Sequence, residues 1–352
     1  MASTTTTTTT TTAEMRLPSS ILRGVGAQRS LHASALRRVP LVLNPTELKA
    51  LAKDNVVPID VSWHMPAAPR NAEEEYQTGP RIVGARRLDL DKVAALGPER
   101  NPLGLTHMLP SATEFRTAAK KLGVTPDSHV VLYDTQGVFS APRGAYTFKL
   151  FGHDKVSILD GGLPRWIAEG GAVDVGPPEQ FTGDSNLSGP EHNTWVRSYE
   201  DMVANAGKGE AGDVVLDARA LGRYTGEAPE PRPGLPSGHI PHSLPLPFND
   251  LLEQPTEDKP YTHLKSPAEL KKILVDAVGG DKVWDEVNQP GGRQLVLTCG
   301  SGMTAAVLWL AQQIVAEAEG RAAPLASIYD ESWTGYAQRE DAPIETGDPT
   351  QK

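Results

Sequence analysis

Cys299 is the only cysteine among 352 residues, and its setting is that of a nucleophile. The strand-like run Gln294 to Thr298 delivers it into a short loop, Cys299-Gly300-Ser301-Gly302-Met303-Thr304, and Ala305 to Glu317 then has the alanine, leucine and glutamine content of a helix. Two glycines in so short a loop let backbone N–H groups turn inward, and the helix N-terminus adds its partial positive charge. Such a cradle holds an anion. For a cysteine the anion is the thiolate, the form that attacks. A solitary cysteine in an arbitrary protein is more often a small buried hydrophobe, so the loop is what favours chemistry here. One thiol also rules out an intramolecular disulfide and a multi-cysteine zinc cluster, and no metal or cofactor is expected.

The elements that would position this loop are legible on both sides of it. Val56 to Asp60, Val130 to Asp134 and Val156 to Asp160 are short apolar runs that end in a carboxylate, and they alternate with helical patterns. The second half repeats the plan in Val214 to Asp217, Leu295 to Cys299 and Ser327 to Asp330, at nearly constant separation from the first set. The spacing therefore predicts an α/β protein of two similar domains, each a mainly parallel sheet flanked by helices. In open sheets of this kind, sites collect where strands end and loops turn into helices. The first-half counterpart of Cys299 is Asp134, followed by Thr135-Gln136-Gly137-Val138-Phe139-Ser140, so only the second domain has a nucleophile. The first domain is expected to shape one wall of a cleft. Residues 39–169 and 196–345 are the predicted domains, 170–195 a glycine- and proline-rich linker, and 346–352 a polar tail.

Composition narrows the function classes. With 39% hydrophobic and 22% charged residues the chain is globular, and no apolar run approaches the roughly 20 residues that span a bilayer. A formal net charge of -10 argues against a nucleic-acid binder, which needs a basic face. The segment 1–38 stands apart. A threonine tract, Thr4 to Thr12, precedes a stretch from Arg16 to Arg38 that holds five arginines, serines and alanines but no acid. That is the composition of a mitochondrial presequence, cleaner if translation starts at Met15, and an ordinary basic tail is the alternative. The expected location is the mitochondrial matrix, with a possible cytosolic form.

From about Val39 to Glu345 the chain resembles the tandem-domain rhodanese family, and within it the 3-mercaptopyruvate sulfurtransferases. The resemblance rests on Asp60-Val61-Ser62-Trp63, His107-Met108-Leu109-Pro110, Ser140-Ala141-Pro142-Arg143 and Leu159-Asp160-Gly161-Gly162. In the second domain it rests on Asp217-Ala218-Arg219, Pro229-Glu230-Pro231-Arg232, Gly238-His239-Ile240-Pro241, the Cys299 loop and Tyr329-Asp330-Glu331-Ser332-Trp333. It implies a sulfur carrier, a Cys299 persulfide loaded from 3-mercaptopyruvate, and an acceptor such as thioredoxin, glutathione or cyanide. The neutral Cys-Gly-Ser-Gly loop, Gly300 to Gly302 with Met303 and Thr304 behind it, matches the mercaptopyruvate type, whereas thiosulfate users carry basic residues there. The resemblance further implies that Arg223 and Arg232 bind the donor's carboxylate and keto oxygens, and that Ser301, His107 and Asp91 form a proton relay across the domain interface. Asp89 stands beside Asp91, and either could turn inward. Asp217 and Arg219 are read as a strand-end ion pair and His239 as a turn residue. Glu331 and Tyr336 depart from the family pattern and leave the outer cleft open to question.

Three other readings compete. Thiosulfate:cyanide sulfurtransferase activity is the nearest, and a comparison of the two donors separates it. Phosphatases of rhodanese-like fold need an arginine six residues after the cysteine, where this chain has Ala305. A non-enzymatic scaffold is disfavoured by the intact set of Cys299, Arg223 and Arg232.

Overall fold

The computed structural model describes residues 1–5, 39–51, 55–181, 183, 187–322 and 326–348. The chain divides into two units, Met1–Arg38 and Val39–Lys352. The presequence expected from Arg16 to Arg38 lies outside the described residues, and both predicted domains belong to the second unit. No helix among the described residues is long and apolar enough to cross a membrane.

The first domain runs β1 (Val42–Leu43), α1 (Pro45–Ala50), β2 (Val56–Asp60), α2 (Ala72–Thr78), β3 (Arg81–Ile82), β4 (Arg86–Arg87), α3 (Ala112–Lys121), β5 (His129–Tyr133), α4 (Ala141–Leu150), β6 (Val156–Leu159), α5 (Gly162–Ala168) and β7 (Val173–Asp174). The second runs β8 (Val196–Arg197), α6 (Tyr199–Ala206), β9 (Val214–Asp217), α7 (Leu221–Thr225), β10 (Ser243–Pro245), β11 (Leu252–Glu253), β12 (His263–Leu264), α8 (Pro267–Val278), α9 (Asp281–Val287), β13 (Leu295–Thr298), α10 (Ala305–Ala318), β14 (Ala326–Tyr329) and α11 (Ser332–Tyr336).

Five parallel strands form each main sheet, in the orders β1-β6-β5-β2-β4 and β10-β9-β13-β14-β8. Read in opposite directions the two orders coincide, with β5 matching β13 and β2 matching β9. The central strands are aliphatic and buried, as strands covered by helices on both faces must be. Pro58 is tolerated inside β2 because β4 pairs only with Ile59 and Asp60, leaving β2 an edge at that residue. Val173 and Asp174, within the stretch expected to be a linker, pair antiparallel with Ile82 and Arg81.

Helix starts divide into two kinds. Peripheral helices carry their own caps: Ser111 with Glu114 on α3, Ser198 with Asp201 on α6, and Ser266 with Glu269 on α8 each form a reciprocal capping box. The helices that follow the central strands, α4 and α10, have no side-chain bond from their own N-cap residue. Their first N–H groups are therefore left to the loops before them. These two helices also face each other across the domain boundary, with the Tyr146 and Trp309 rings edge-to-face at 5.4 Å. This is why α10 is apolar nearly all round instead of striped: β13 lies on one side and the first domain on the other. A second-domain arm reaches back over the first. Leu264 N–H donates to Asp160 at 2.8 Å, and the Thr262 carbonyl lies against Gly137, 2.5 Å from where a Cβ there would stand.

Candidate active site

Strand β13 ends at Thr298 and places Cys299, 2% exposed, at the start of the loop before α10. The loop is pinned from behind by the turn at α11. The Cys299 N–H donates to Ser332 Oγ at 3.2 Å, Trp333 N–H donates to the Cys299 carbonyl at 2.9 Å, and Thr334 N–H and hydroxyl both donate to the Gly300 carbonyl. The matching loop of the first domain shows what such a loop binds. There the Asp134 carboxylate accepts N–H bonds from Gln136, Gly137, Phe139, Ser140 and Ala141, all between 2.8 and 3.0 Å. Five converging backbone donors form an anion cradle, and a carboxylate fills it. In the second domain the counterparts are Ser301, Gly302, Thr304, Ala305 and Ala306. Among the described residues only Ala306 N–H has a protein acceptor, the Met303 carbonyl at 3.3 Å. The N–H groups of Ser301, Gly302, Thr304 and Ala305 have no protein acceptor among the described residues. Met303 is buried, and Thr304 is the N-cap of α10.

Across the interface, His107 Nε2 lies 2.8 Å from Ser301 Oγ, and its Nδ1 lies 3.0 Å from Asp91 Oδ1. Trp63 Nε1 donates to the other Asp91 oxygen at 2.8 Å, while the Trp63 ring packs edge-on against the imidazole at 5.0 Å. Asp91, not Asp89, turns inward. Asp89 instead caps the backbone N–H groups of Asp91 and Lys92. Burial pushes the His107 imidazole below its ordinary pKa; Asp91 works against this, and the cations Arg143 and Arg232 add to it. Burial disfavours the ionised Asp91, but bonds from His107 and Trp63 outweigh it and hold the carboxyl below its usual range. The result is a neutral buried imidazole, oriented by a carboxylate and bonded to a hydroxyl, which can accept a proton and return it.

Arg223 and Arg232 flank the loop. A Cβ at Gly300 would stand 3.0 Å from Arg223 Nη2 and 3.7 Å from Arg232 Nη1, so glycine there lets both guanidinium groups approach. The two are not equivalent. Arg223 gives Nε and Nη2 to the buried Glu230, at 3.1 and 2.6 Å, whereas Arg232 has no hydrogen-bond partner among the described residues. Burial lowers Arg232 from the usual guanidinium value, with the charge of Cys299 opposing. Arg232 also borders a cavity of about 600 Å³ that reaches Leu235, Thr334, Arg339 and Ile344. The unexpected residues of the outer cleft close on themselves: Glu331 pairs with Arg339 at 2.6 Å, and the Tyr336 hydroxyl donates to Pro343 at 2.8 Å.

Arg219 is engaged by carboxylates and not by the Cys299 loop among the described residues. It lies buried between Asp217 and Glu230, under the Trp333 ring, and through Glu230 it fixes Arg223. His239 likewise serves structure, bonding the Tyr224 carbonyl at 2.9 Å. Sequence reasoning gave no site role to Trp63, Glu230, Arg143 or Asp330, although three of them sit in runs that end a strand or start a helix. The available signal was charge at element ends, which does not say which partner it meets.

A pair of parallel-sheet domains, one with a thiol at the strand-to-helix loop where the other holds a carboxylate in an anion cradle, defines a rhodanese-like protein. The Rhodanese-like domain model matches residues 44–169. The probable 3-mercaptopyruvate sulfurtransferase of Schizosaccharomyces pombe is 34% identical over 82% of this chain and 89% of its own length. The mitochondrial thiosulfate/3-mercaptopyruvate sulfurtransferase 1 of Arabidopsis thaliana is 32% identical over 82% of this chain and 73% of its own. The crystal structure of SseA from Escherichia coli, described as a 3-mercaptopyruvate sulfotransferase of rhodanese fold, superposes with a TM-score of 0.67 at 27% identity, covering 83% of this chain and 98% of that one. The chain belongs to the tandem-domain rhodanese family, among the relatives of the 3-mercaptopyruvate sulfurtransferases, and is a sulfurtransferase.

Proposed function

We propose that the protein moves sulfur from 3-mercaptopyruvate through a Cys299 persulfide to a small thiol, a protein thiol such as thioredoxin, or cyanide, and releases pyruvate. The observation that carries the choice of donor is the hydrogen-bonded chain Asp91–His107–Ser301 beside Cys299. In the donor step the Cys299 thiolate attacks the substrate sulfur, the carbon–sulfur bond breaks, and its electrons leave on the pyruvate enolate. The substrate's thiol proton passes through Ser301 and His107 to that carbon, so atoms and charge balance. An acceptor thiolate or cyanide then attacks the outer sulfur of the persulfide and restores the Cys299 thiolate. Arg232 takes the donor carboxylate, and Arg223, held by Glu230, supports it. Thiosulfate, whose outer sulfur has no proton to lose, makes no use of the relay and is the secondary donor.

Intact-mass measurement before and after 3-mercaptopyruvate, without acceptor, tests this reading. One added sulfur on the native chain and none on Cys299→Ser is the expected outcome. Pyruvate formation by Cys299→Ser at a rate comparable to the native chain would remove Cys299 from the mechanism. The site of action is proposed to be mitochondrial, on the arginine-rich, acid-free stretch from Arg16 to Arg38 and the name of the Arabidopsis relative. A reporter fused to residues 1–40 should enter mitochondria, and a cytosolic signal from starts at both Met1 and Met15 would count against it.

A further inference from the structure

Arg143 belongs to α4 of the first domain, yet every contact of its guanidinium is at the domain boundary. It is 1% exposed, a rare state for an arginine. Nη2 donates to the His107 carbonyl at 3.0 Å and to Asp330 Oδ1, and Nη1 donates to the Gly302 carbonyl at 3.4 Å. The other Asp330 oxygen accepts the Leu109 N–H at 2.8 Å. One ion pair thus grips the strap around His107 from the first domain and the sulfur-carrying loop from the second. Both grips fall on unusual backbone. His107 has φ 45°, a left-handed conformation that costs a non-glycine residue about 1–2 kcal/mol and persists only when its surroundings impose it. Gly302 has φ 79°, and a Cβ there would stand 3.2 Å from Arg143 Nη1 and 2.9 Å from the Asp330 carbonyl, so only glycine admits the guanidinium comfortably.

We infer that the Arg143–Asp330 pair is a positioning device for proton transfer: it locks the His107 strap to the Gly302 loop and so holds the imidazole on the Ser301 hydroxyl. This rests on the reading that Ser301 and His107 carry the donor's proton. Neither member of the pair bonds Cys299, Ser301 or the flanking arginines, so its action is through geometry and charge, not contact with the reacting atoms. A displacement of about 1 Å at a catalytic group can cost on the order of 100-fold in rate, and loss of the clamp frees both sides of a 2.8 Å bond.

The charge effect gives a readout that a plain interdomain staple would not. The groups facing His107 are Asp91 from its own domain, Arg143 from α4, and Arg232 with the Cys299–Ser301 loop from the second domain, while Asp330 compensates Arg143. Removing the Arg143 cation raises the proton affinity of the imidazole. Neutralising Asp330 leaves that cation uncompensated and lowers it.

The experiment compares Arg143→Met, Arg143→Lys and Asp330→Asn in the full chain, with 3-mercaptopyruvate and with thiosulfate, across pH. For Arg143→Met, kcat with 3-mercaptopyruvate should fall about 30-fold, with KM within about 3-fold, and the loss with thiosulfate should be several times smaller. The acid limb of kcat/KM should move to higher pH in Arg143→Met and to lower pH in Asp330→Asn, and Arg143→Lys should recover part of the rate. If Arg143→Met does not fold, the near-isosteric Asp330→Asn carries the test by the same donor ratio and by its limb shift to lower pH, and Arg143→Lys, which keeps the cation, carries it by the donor ratio alone. Equal losses on both donors, or limbs that move the same way, would overturn the inference. Ser301→Ala separates the two ideas. Donor-selective loss there but not in the clamp variants refutes the clamp alone, whereas equal losses in Ser301→Ala refute the relay and the clamp with it.

Discussion

Ser301→Ala removes one hydroxyl, and the structure lets its consequences be worked separately for rate and for stability. The Ser301 Oγ is the partner of His107 Nε2 at 2.8 Å, and the imidazole side chain is fully buried, so the ring nitrogen left behind has no replacement donor or acceptor among the described residues. A buried polar atom stripped of its partner costs about 1–3 kcal/mol, which should appear as a lower midpoint in urea with an unchanged slope. The rate effect depends on the donor. General acid–base catalysis contributes about 10²–10⁴-fold, and 3-mercaptopyruvate must both lose a thiol proton and gain one at carbon. At 1.36 kcal/mol per decade, even the lower bound is about 2.7 kcal/mol of barrier, larger than the stability change at its middle value. Thiosulfate needs neither proton, so its kcat should change by no more than about 3-fold, the size of a small adjustment in loop geometry. The assay is steady-state kinetics with both donors and one acceptor, at a pH where the native chain is at its plateau. If both donors lose rate equally, Ser301 shapes the loop and carries no proton, and the donor preference argued from the relay fails.

Arg232→Ala should raise the 3-mercaptopyruvate KM by about 10–100-fold, the value of a charged hydrogen bond, because its guanidinium has no other partner among the described residues to retain. Arg223→Ala should raise KM less and also destabilise, since it strips one cation from the buried Glu230; a KM ranking in the opposite order would show that Arg223 makes the main contact. Asp134→Ala should cost about 3 kcal/mol or more by chemical denaturation, because five backbone donors lose one shared acceptor, and a loss under about 0.5 kcal/mol would mean that water fills the cradle without penalty.

The local grammar of the chain was legible because it depends on neighbours in sequence. Apolar runs that end in carboxylates, glycines in the turn and an alanine-rich helix after it specified strand, loop and helix around Cys299, and the repeat of that order foretold two sheets of like topology. Even the anion preference of the loop followed from its glycines and the helix start, and the Asp134 loop displays the same preference within the same molecule. The pairing of distant side chains was not legible. His107 and Ser301 are 194 residues apart, and nothing local to either says that they meet; the expectation came from resemblance alone. Asp89 and Asp91 are indistinguishable in composition, and only the turn that Asp89 caps decides which of them faces the imidazole. Arg223 and Arg232 look equivalent in sequence, but the fold commits one to Glu230 and gives the other no hydrogen-bond partner among the described residues. Arg143 and Asp330 read as the start of a helix and the end of a strand until the packing of α4 against α10 brings them together. The sequence by itself determined the elements, the cradle and the thiol within it, since these are set by backbone preferences over a few residues. The tertiary structure decided which charges meet, because burial between two domains makes an ion pair or a buried hydrogen bond only where both partners arrive at the same place.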